Sequence, residues 1–392
     1  MKVLMIHNYY RTSAPSGEDI VVANEKRMLE RHCEVISYVK RNDDLDESSF
    51  GTRVSMAANA LWNKTSFAEI RCVIGQHKPT LMHVHNTFPQ ISPSAYAAAK
   101  AEKLPVLQTL HNYRLSCANG LLLRDGVPCE LCLKGLPYPA LHYKCYRGSL
   151  PATATVVGIQ LFNRMIGSYR NNIDTFIALT RFAKEKMLLG NLRDANFVVK
   201  PNFLPDPPIP GPYPRERQAI FVGRLTEEKG VWTLIRAWAG TKGYRLLIVG
   251  DGGLRGELEK YVAENKLDVQ FLGHRARREV LELISACALQ IVPSICYEGF
   301  PMVVLEAYAC GTAILASALG GLAETVVEGV TGRQFPPGDV DTLRSKINWM
   351  LESGETEQLG RAGRDLFEKE FTESRNSKQL LDIYEHTLAK RA

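Results

Sequence analysis

The stretch EGFPMVVLEA at residues 298–307 sets two carboxylates, Glu298 and Glu306, at the ends of seven uncharged residues. Pro301 suits the first position of a helix and Gly311 its end, so Glu298 is expected in the loop before a short helix and Glu306 in its second turn. The free N–H groups of such a helix start can hold a phosphate. Carboxylates repel that phosphate, which aims both glutamates at neutral hydroxyls flanking it. A nucleotide sugar offers such hydroxyls, the sugar ring on one side of its diphosphate and the ribose on the other. The plainer alternative is one glutamate stabilised by the helix dipole and a second without a role.

A second group of residues bears on the same chemistry. FVGRLTEEKG places Arg224 and Lys229 in a loop straight after an apolar strand, beside Gly223 and Gly230, which let the backbone approach a ligand closely. Two cations there can neutralise a leaving diphosphate without a metal ion. A solvated basic loop is the alternative, and Glu227 and Glu228 between the two cations fit it. IVGDGGLRG carries glycines at 250, 252, 253 and 256, yet the following strand ends in His274 and Arg275, with no acid to hold a ribose as a dinucleotide site requires. Gly250 therefore belongs to a tight turn near a nucleotide, and a dehydrogenase is disfavoured. Asp339, in DVD, reads as a helix cap rather than a metal ligand.

These residues need a frame that gathers loops at strand ends. Short apolar runs alternate with helical patterns from the N-terminus (KVLMI, EVISYV, TLMHVH, PVLQTLH, TFIALT), which predicts a parallel sheet covered on both faces. The pattern stops at PNFLPDPPIPGPYP, with seven prolines in fourteen residues, and restarts with AIFVG, YRLLIVG, VQFLGH, LQIVPS and AILAS. The expected organisation is a domain over 1–204, a linker over 205–217 and a domain over 218–392, whose last helix crosses back to the first. In doubly wound sheets, ligands bind beyond the carboxyl ends of the strands.

Charge and composition narrow the partners. The chain has 392 residues and a net charge of +6. Up to Pro205 there are 25 Lys and Arg against 16 Asp and Glu, and beyond it 23 against 26, so the first domain is the basic one and suits an anionic ligand or membrane surface. No helix-turn-helix, zinc finger or aromatic RNA-binding motif accompanies the charge, which removes nucleic acid as the partner. MKVLMIHNYY reads as a buried strand rather than a signal peptide, and no segment is long and apolar enough to span a bilayer, so a cytoplasmic protein with reduced thiols is expected. LPATATVVGIQLFNRMIGSYR, residues 150–170, is a helix either buried against the first domain or lying in a membrane interface.

Residues 112–148 form a Gly- and Pro-rich insertion with Cys117, Cys129, Cys132 and Cys145. A C-x2-C pair between two single cysteines can wrap a structural zinc and staple a segment that has no core of its own; four small buried hydrophobes are the alternative. His83 and His85, two apart on one strand, could share a face, but no third ligand is evident, so they read as cleft lining.

Taken together, the E-x7-E of Glu298 and Glu306, the G-R-x4-K-G of Gly223 to Gly230, VGDGG, the PS before Glu298 and EAYACGTAILASALGGLAE resemble the retaining glycosyltransferases of family 4. The resemblance implies the GT-B fold, two Rossmann-like doubly wound α/β domains facing across a cleft. It implies that Glu298 binds donor-sugar hydroxyls, Glu306 the ribose, and Arg224 and Lys229 the phosphates, with the backbone of Gly299 and Phe300 close to the donor. In the first domain APSGED matches the family's glycine loop, which sets Gly17 against the diphosphate, and TLHN matches the strand end whose histidine, here His111, faces the reacting sugar. The expected activity is metal-independent transfer, with retention, from a UDP- or GDP-sugar to a glycan or lipid-linked hydroxyl acceptor in polysaccharide, lipopolysaccharide or glycolipid synthesis. It implies peripheral contact with an anionic membrane. A catalytically silent nucleotide-sugar-binding subunit is the second reading, against which stand all the key positions being filled.

Overall fold

The computed structural model describes residues 1–12, 16–45, 49–190 and 192–391, which fall into two compact units. One comprises Met1–Leu121, Glu130–Pro201 and Asn376–Ala392; the other comprises Leu122–Cys129 and Asn202–Arg375. The short hairpin inside the cysteine-rich insertion thus groups with the second unit, where the sequence pattern placed the whole insertion in the first.

The first unit is built on strands β1 (Lys2–Tyr9), β2 (Glu34–Arg41), β3 (Leu81–Asn86) and β4 (Val106–Leu110). The chain then makes the hairpin β5 (Leu123–Arg124) and β6 (Val127–Pro128), and returns for β7 (Thr175–Ala178) and β8 (Phe197–Val199). The sheet order is β2-β1-β3-β4-β7-β8, all parallel. Its helices are α1 (Gly17–Leu29), α2 (Phe50–Leu61), α3 (Lys64–His77), α4 (Ser94–Ala101), α5 (Tyr138–His142), α6 (Leu150–Met165), α7 (Ser168–Asn172) and α8 (Arg181–Leu188). Strands β3, β4 and β7 are buried along almost their whole length, which is why they read as continuous rather than alternating apolar runs. Helix α6 buries Val156, Val157, Ile159 and Gln160, so it is a helix of the unit's own interior.

The second unit repeats the plan with β9 (Glu216–Val222), β10 (Arg245–Val249), β11 (Val269–Gly273), β12 (Cys287–Val292), β13 (Ala313–Ser317) and β14 (Gly332–Phe335), in parallel order β11-β10-β9-β12-β13-β14. Around them run α9 (Val231–Trp238), α10 (Arg255–Glu264), α11 (Arg277–Ala286), α12 (Met302–Cys310), α13 (Gly320–Thr325), α14 (Val340–Glu352) and α15 (Glu355–Glu370). The core centres on Phe221, Leu234, Trp238, Ile248, Leu289 and Leu315. The proline-rich segment is held against this unit: Arg215 Nη2 donates to the Cys310 carbonyl at 2.8 Å and Arg364 Nη1 to that of Pro208 at 2.9 Å. Asp339 caps α14, its carboxylate accepting from the Asp341 and Thr342 N–H groups.

Helix α16 (Glu373–Ala389) leaves the second unit after Arg375 and contributes to the first from Asn376 onward. Among the described residues no helix is long and apolar enough to cross a membrane.

The strand order of each sheet reverses once, between β1 and β3 and between β9 and β12. Loops leaving the carboxyl ends at those points diverge and open a crevice, the place where this architecture binds ligands.

Candidate active site

In the second unit the loops after β9 and β12 are fastened backbone to backbone. Gly230 ends the 3-10 turn Glu227–Lys229 at φ 66°, and a Cβ there would sit 1.9 Å from the Pro293 carbonyl oxygen. The Ile295 N–H donates to the Glu228 carbonyl at 3.0 Å. This lacing sets the Lys229 ammonium 2.6 Å from Glu298 Oε1, and the Ser294 hydroxyl donates to the same oxygen at 2.7 Å. Burial alone would raise the Glu298 carboxyl, but Lys229 and Ser294 outweigh it and hold the group below its ordinary value. Burial likewise works to lower the Lys229 ammonium, and the Glu298 charge reverses that and raises it.

Arg224 shares this strand end but remains open to solvent, with Nη2 2.9 Å from Glu228 Oε1. Gly250, after β10, sits at φ 126°; a Cβ there would meet the Gly223 carbonyl oxygen at 2.0 Å, so both glycines serve the close approach of two strand-end turns. Pro301 is the N-cap residue of α12, one position before the helix rather than its first, and Gly311 ends it at φ 66°. Glu306 falls in the second turn, where burial raises its carboxyl and Arg277 only partly opposes this. Phe300 buries its ring 5.7 Å from that of Phe371, and its carbonyl accepts from Asn202.

In the first unit Gly17 opens α1 behind its N-cap Ser16, with no atom within 4 Å of where a Cβ would be. Ala14 and Pro15 of APSGED lie outside the described residues. Glu18, next to Gly17, is buried against Tyr10 and Asn112. Burial and the adjacent Asp19 push its carboxyl up to about 8.

His111 follows β4, and its Nε2 is 3.0 Å from His85 Nδ1. Burial, reinforced by His85 and His7, holds the His111 imidazole well below its ordinary value, so it is neutral. A cavity beside it is lined by His85, Phe88, Asn112, Arg114, Gln108 and Gln160. His83, expected to line a cleft, is instead fully buried: its Nδ1 meets Tyr384 Oη at 2.7 Å and its Nε2 meets Thr109 Oγ1 at 2.8 Å. The sequence offered no third ligand for the two histidines, but the fold brings Glu25 to both. The signal for Glu25 was its place on the apolar stripe of α1, in helical register with Val21, Val22, Met28 and Leu29.

None of the nine cysteines is in a disulfide. Cys132 and Cys145 pack on one apolar cluster around Ala118, Ala140 and Val156, and Cys117 Sγ donates to Asn119 Oδ1 at 3.0 Å. Cys129 closes the β5–β6 hairpin through its N–H to the Leu122 carbonyl. Cys129 thus groups with the second unit, the other three with the first.

Two parallel six-stranded Rossmann-like sheets, each with one reversal of strand order, are the GT-B fold of glycosyltransferases. Residues 205–365, most of the second unit, match the family model of Glycosyl transferases group 1. The alpha-maltose-1-phosphate synthase of Mycobacterium tuberculosis is 32% identical over 192 residues, 45% of this chain and 49% of that protein. The chain thus spans about half the length of the curated relatives it matches. Sucrose-phosphate synthase from Thermosynechococcus elongatus superposes with a TM-score of 0.73 over 99% of both chains at 18% identity. Anabaena Alr3699/HepE, solved in complex with UDP-glucose, superposes at 0.66 over 98% of this chain and all of its own, at 17% identity. At such identities the likeness is one of fold.

Proposed function

We propose that the chain is a retaining glycosyltransferase that moves a sugar from a nucleotide-diphosphate donor to a hydroxyl acceptor. The observation that carries this reading is the Lys229–Glu298 pair at the strand reversal of the second unit. A cation and a carboxylate fixed side by side, with glycine turns around them, suit a ligand that is anionic at one end and rich in hydroxyls at the other. Among the described residues, the side-chain hydrogen bonds from Lys229 and Ser294 both fall on Glu298 Oε1. Its second oxygen is the acceptor assigned to donor-sugar hydroxyls, and Glu306 is assigned to the ribose.

Lys229 and the solvent-open Arg224 would stabilise the charge that develops on the leaving diphosphate, so the step needs no metal ion. Gly17 is assigned to the diphosphate and His111 to the reacting sugar. Among the described residues no side chain stands out as a covalent nucleophile, and in this reading the acceptor hydroxyl attacks the anomeric carbon on the face the diphosphate leaves. The C–O bond to the phosphate breaks with its electron pair, and the departing phosphate takes the hydroxyl proton.

A UDP-sugar is favoured as donor by the UDP-glucose complex of one structural neighbour. The basic first half of the chain supports a lipid-linked or polysaccharide acceptor and peripheral contact with an anionic membrane. A structural zinc in the cysteine segment is part of the same reading on the C-x2-C spacing alone, since Cys132 and Cys145 pack on an apolar cluster and the four cysteines form no ligand group among the described residues.

The test is a thermal-shift and turnover screen of the full chain against UDP-, GDP- and ADP-sugars, with Glu298→Ala and Lys229→Ala alongside. One donor should stabilise the wild type and turn over with an unchanged anomeric configuration, and both substitutions should abolish turnover. Binding without turnover on any acceptor would favour a silent subunit, and an inverted product would exclude retention.

A further inference from the structure

Behind His111 lies a chain of polar groups that none of the assigned roles uses. Glu25, on α1, is 1% exposed. Its Oε2 accepts from Lys200 Nζ at 3.0 Å, and Lys200 also donates to Asn376 Oδ1 at 2.8 Å. Its Oε1 faces His85 Nε2 at 3.3 Å and His83 Nδ1 at 3.4 Å. The His85 ring stacks on that of His111 at a centroid distance of 5.3 Å, with Nδ1 against Nε2.

Glu25, His83 and His85 could suggest a metal site, since their ligand atoms lie within 4.8 Å of one another. The positive charge such a site would supply is already present as the Lys200 ammonium on the same carboxylate. Both nitrogens of His83 are also committed, to Tyr384 and Thr109. What remains unpaired is one acceptor, Glu25 Oε1, and one ring nitrogen, His85 Nε2, each buried without another hydrogen-bond partner. A proton on His85 Nε2 is the placement that gives both a partner. In a neutral His85 ring Nδ1 is then a lone pair, and the 3.0 Å contact places the proton on His111 Nε2. The ring-nitrogen identity of one histidine is thus passed to the next.

We propose that Glu25 is a positioning residue which, through His85, keeps the His111 proton on Nε2 and leaves Nδ1 as a hydrogen-bond acceptor for a sugar hydroxyl. The catalytic consequence rests on the reading of His111 given above; the proton placement does not. A ring free to exchange tautomers would spend part of its time presenting an N–H where an acceptor is needed, which lowers kcat while leaving donor affinity largely intact.

The experiment is long-range 1H–15N correlation on the full chain labelled with 15N-histidine, with His85→Gln and His111→Gln spectra assigning the rings. In the wild type both rings are expected as Nε2–H tautomers. The probe variant is Glu25→Gln combined with Lys200→Met, which removes both members of the pair and strands no charge. There the His85 and His111 signals should shift to mixed tautomers. With the nucleotide sugar that the screen identifies, kcat should fall about tenfold or more while KM for the donor stays within about twofold. The wild-type spectrum decides even if the double variant does not fold: an Nδ1–H tautomer on His111 overturns the proposal. Unchanged tautomers in a folded variant also overturn it, as does one equivalent of divalent metal per wild-type chain that is lost in His85→Ala.

Discussion

Lys229 Nζ and Glu298 Oε1 lie 2.6 Å apart although 69 residues separate them in the chain. They meet because the Glu228 and Ile295 backbones hydrogen-bond across the β9 and β12 loops. Removing the lysine leaves a mostly buried carboxylate without its cation. Lys229→Ala is expected to cost about 2 kcal/mol in urea unfolding and on the order of a hundredfold in kcat/KM.

The same pair predicts a direction with pH. The Glu298 carboxyl is held below its ordinary value, so its contribution is present above the ordinary carboxylate range and is lost as pH falls through the lowered value. The melting-temperature difference between wild type and Glu298→Gln should therefore be largest near neutrality and shrink below about pH 4. A difference that grows on acidification would show that Lys229 does not set this carboxyl.

Glu18 predicts the opposite slope. Its carboxyl is raised to about 8, so the protonated form is stabilised in the fold; that contribution is whole below the unfolded value and disappears as pH rises through about 8. Wild-type stability should decline relative to Glu18→Gln between about pH 5 and pH 8. Thermal melts of the two proteins across that range measure it directly.

The glycines divide by what surrounds them. Gly230→Ala and Gly250→Ala each drive a methyl into a carbonyl oxygen at about 2 Å, and both positions have positive φ. Each should lose about 2 kcal/mol or more and loosen the loops that carry Lys229 and Glu298. Gly253→Ala meets nothing within 4 Å and should fall within about 0.5 kcal/mol of wild type.

For the cysteine segment, elemental analysis of the purified chain should find about one zinc per molecule, and chelation should lower the melting temperature. Cys132→Ser should lose that metal while keeping the donor-induced thermal shift. A chain without zinc that melts identically with and without chelator would leave the cysteines as packing residues.

The sequence determined the layered α/β plan, because a strand buried on both faces must be apolar throughout and the helices must carry a 3.6-residue period. β1, β3, β4, β7, β9, β10, β12 and β13 were all legible this way. The edge pieces β8 and β14 were not, since three or four residues are too few to show a period. That Glu298, Lys229 and Arg224 lie in loops after strands was legible, because their charges interrupt apolar runs.

The tertiary structure alone decided which of those charges touch. It paired Lys229 with Glu298 and Arg224 with Glu228, and it turned His83 from cleft lining into a buried group bonded to Tyr384. It also joined Glu25, Lys200 and Asn376, whose positions span 351 residues, into one buried node. No local pattern announces such a node. A buried charge is tolerated only where partners from distant segments arrive together, and that arrival is a property of strand order and chain return rather than of any stretch of sequence.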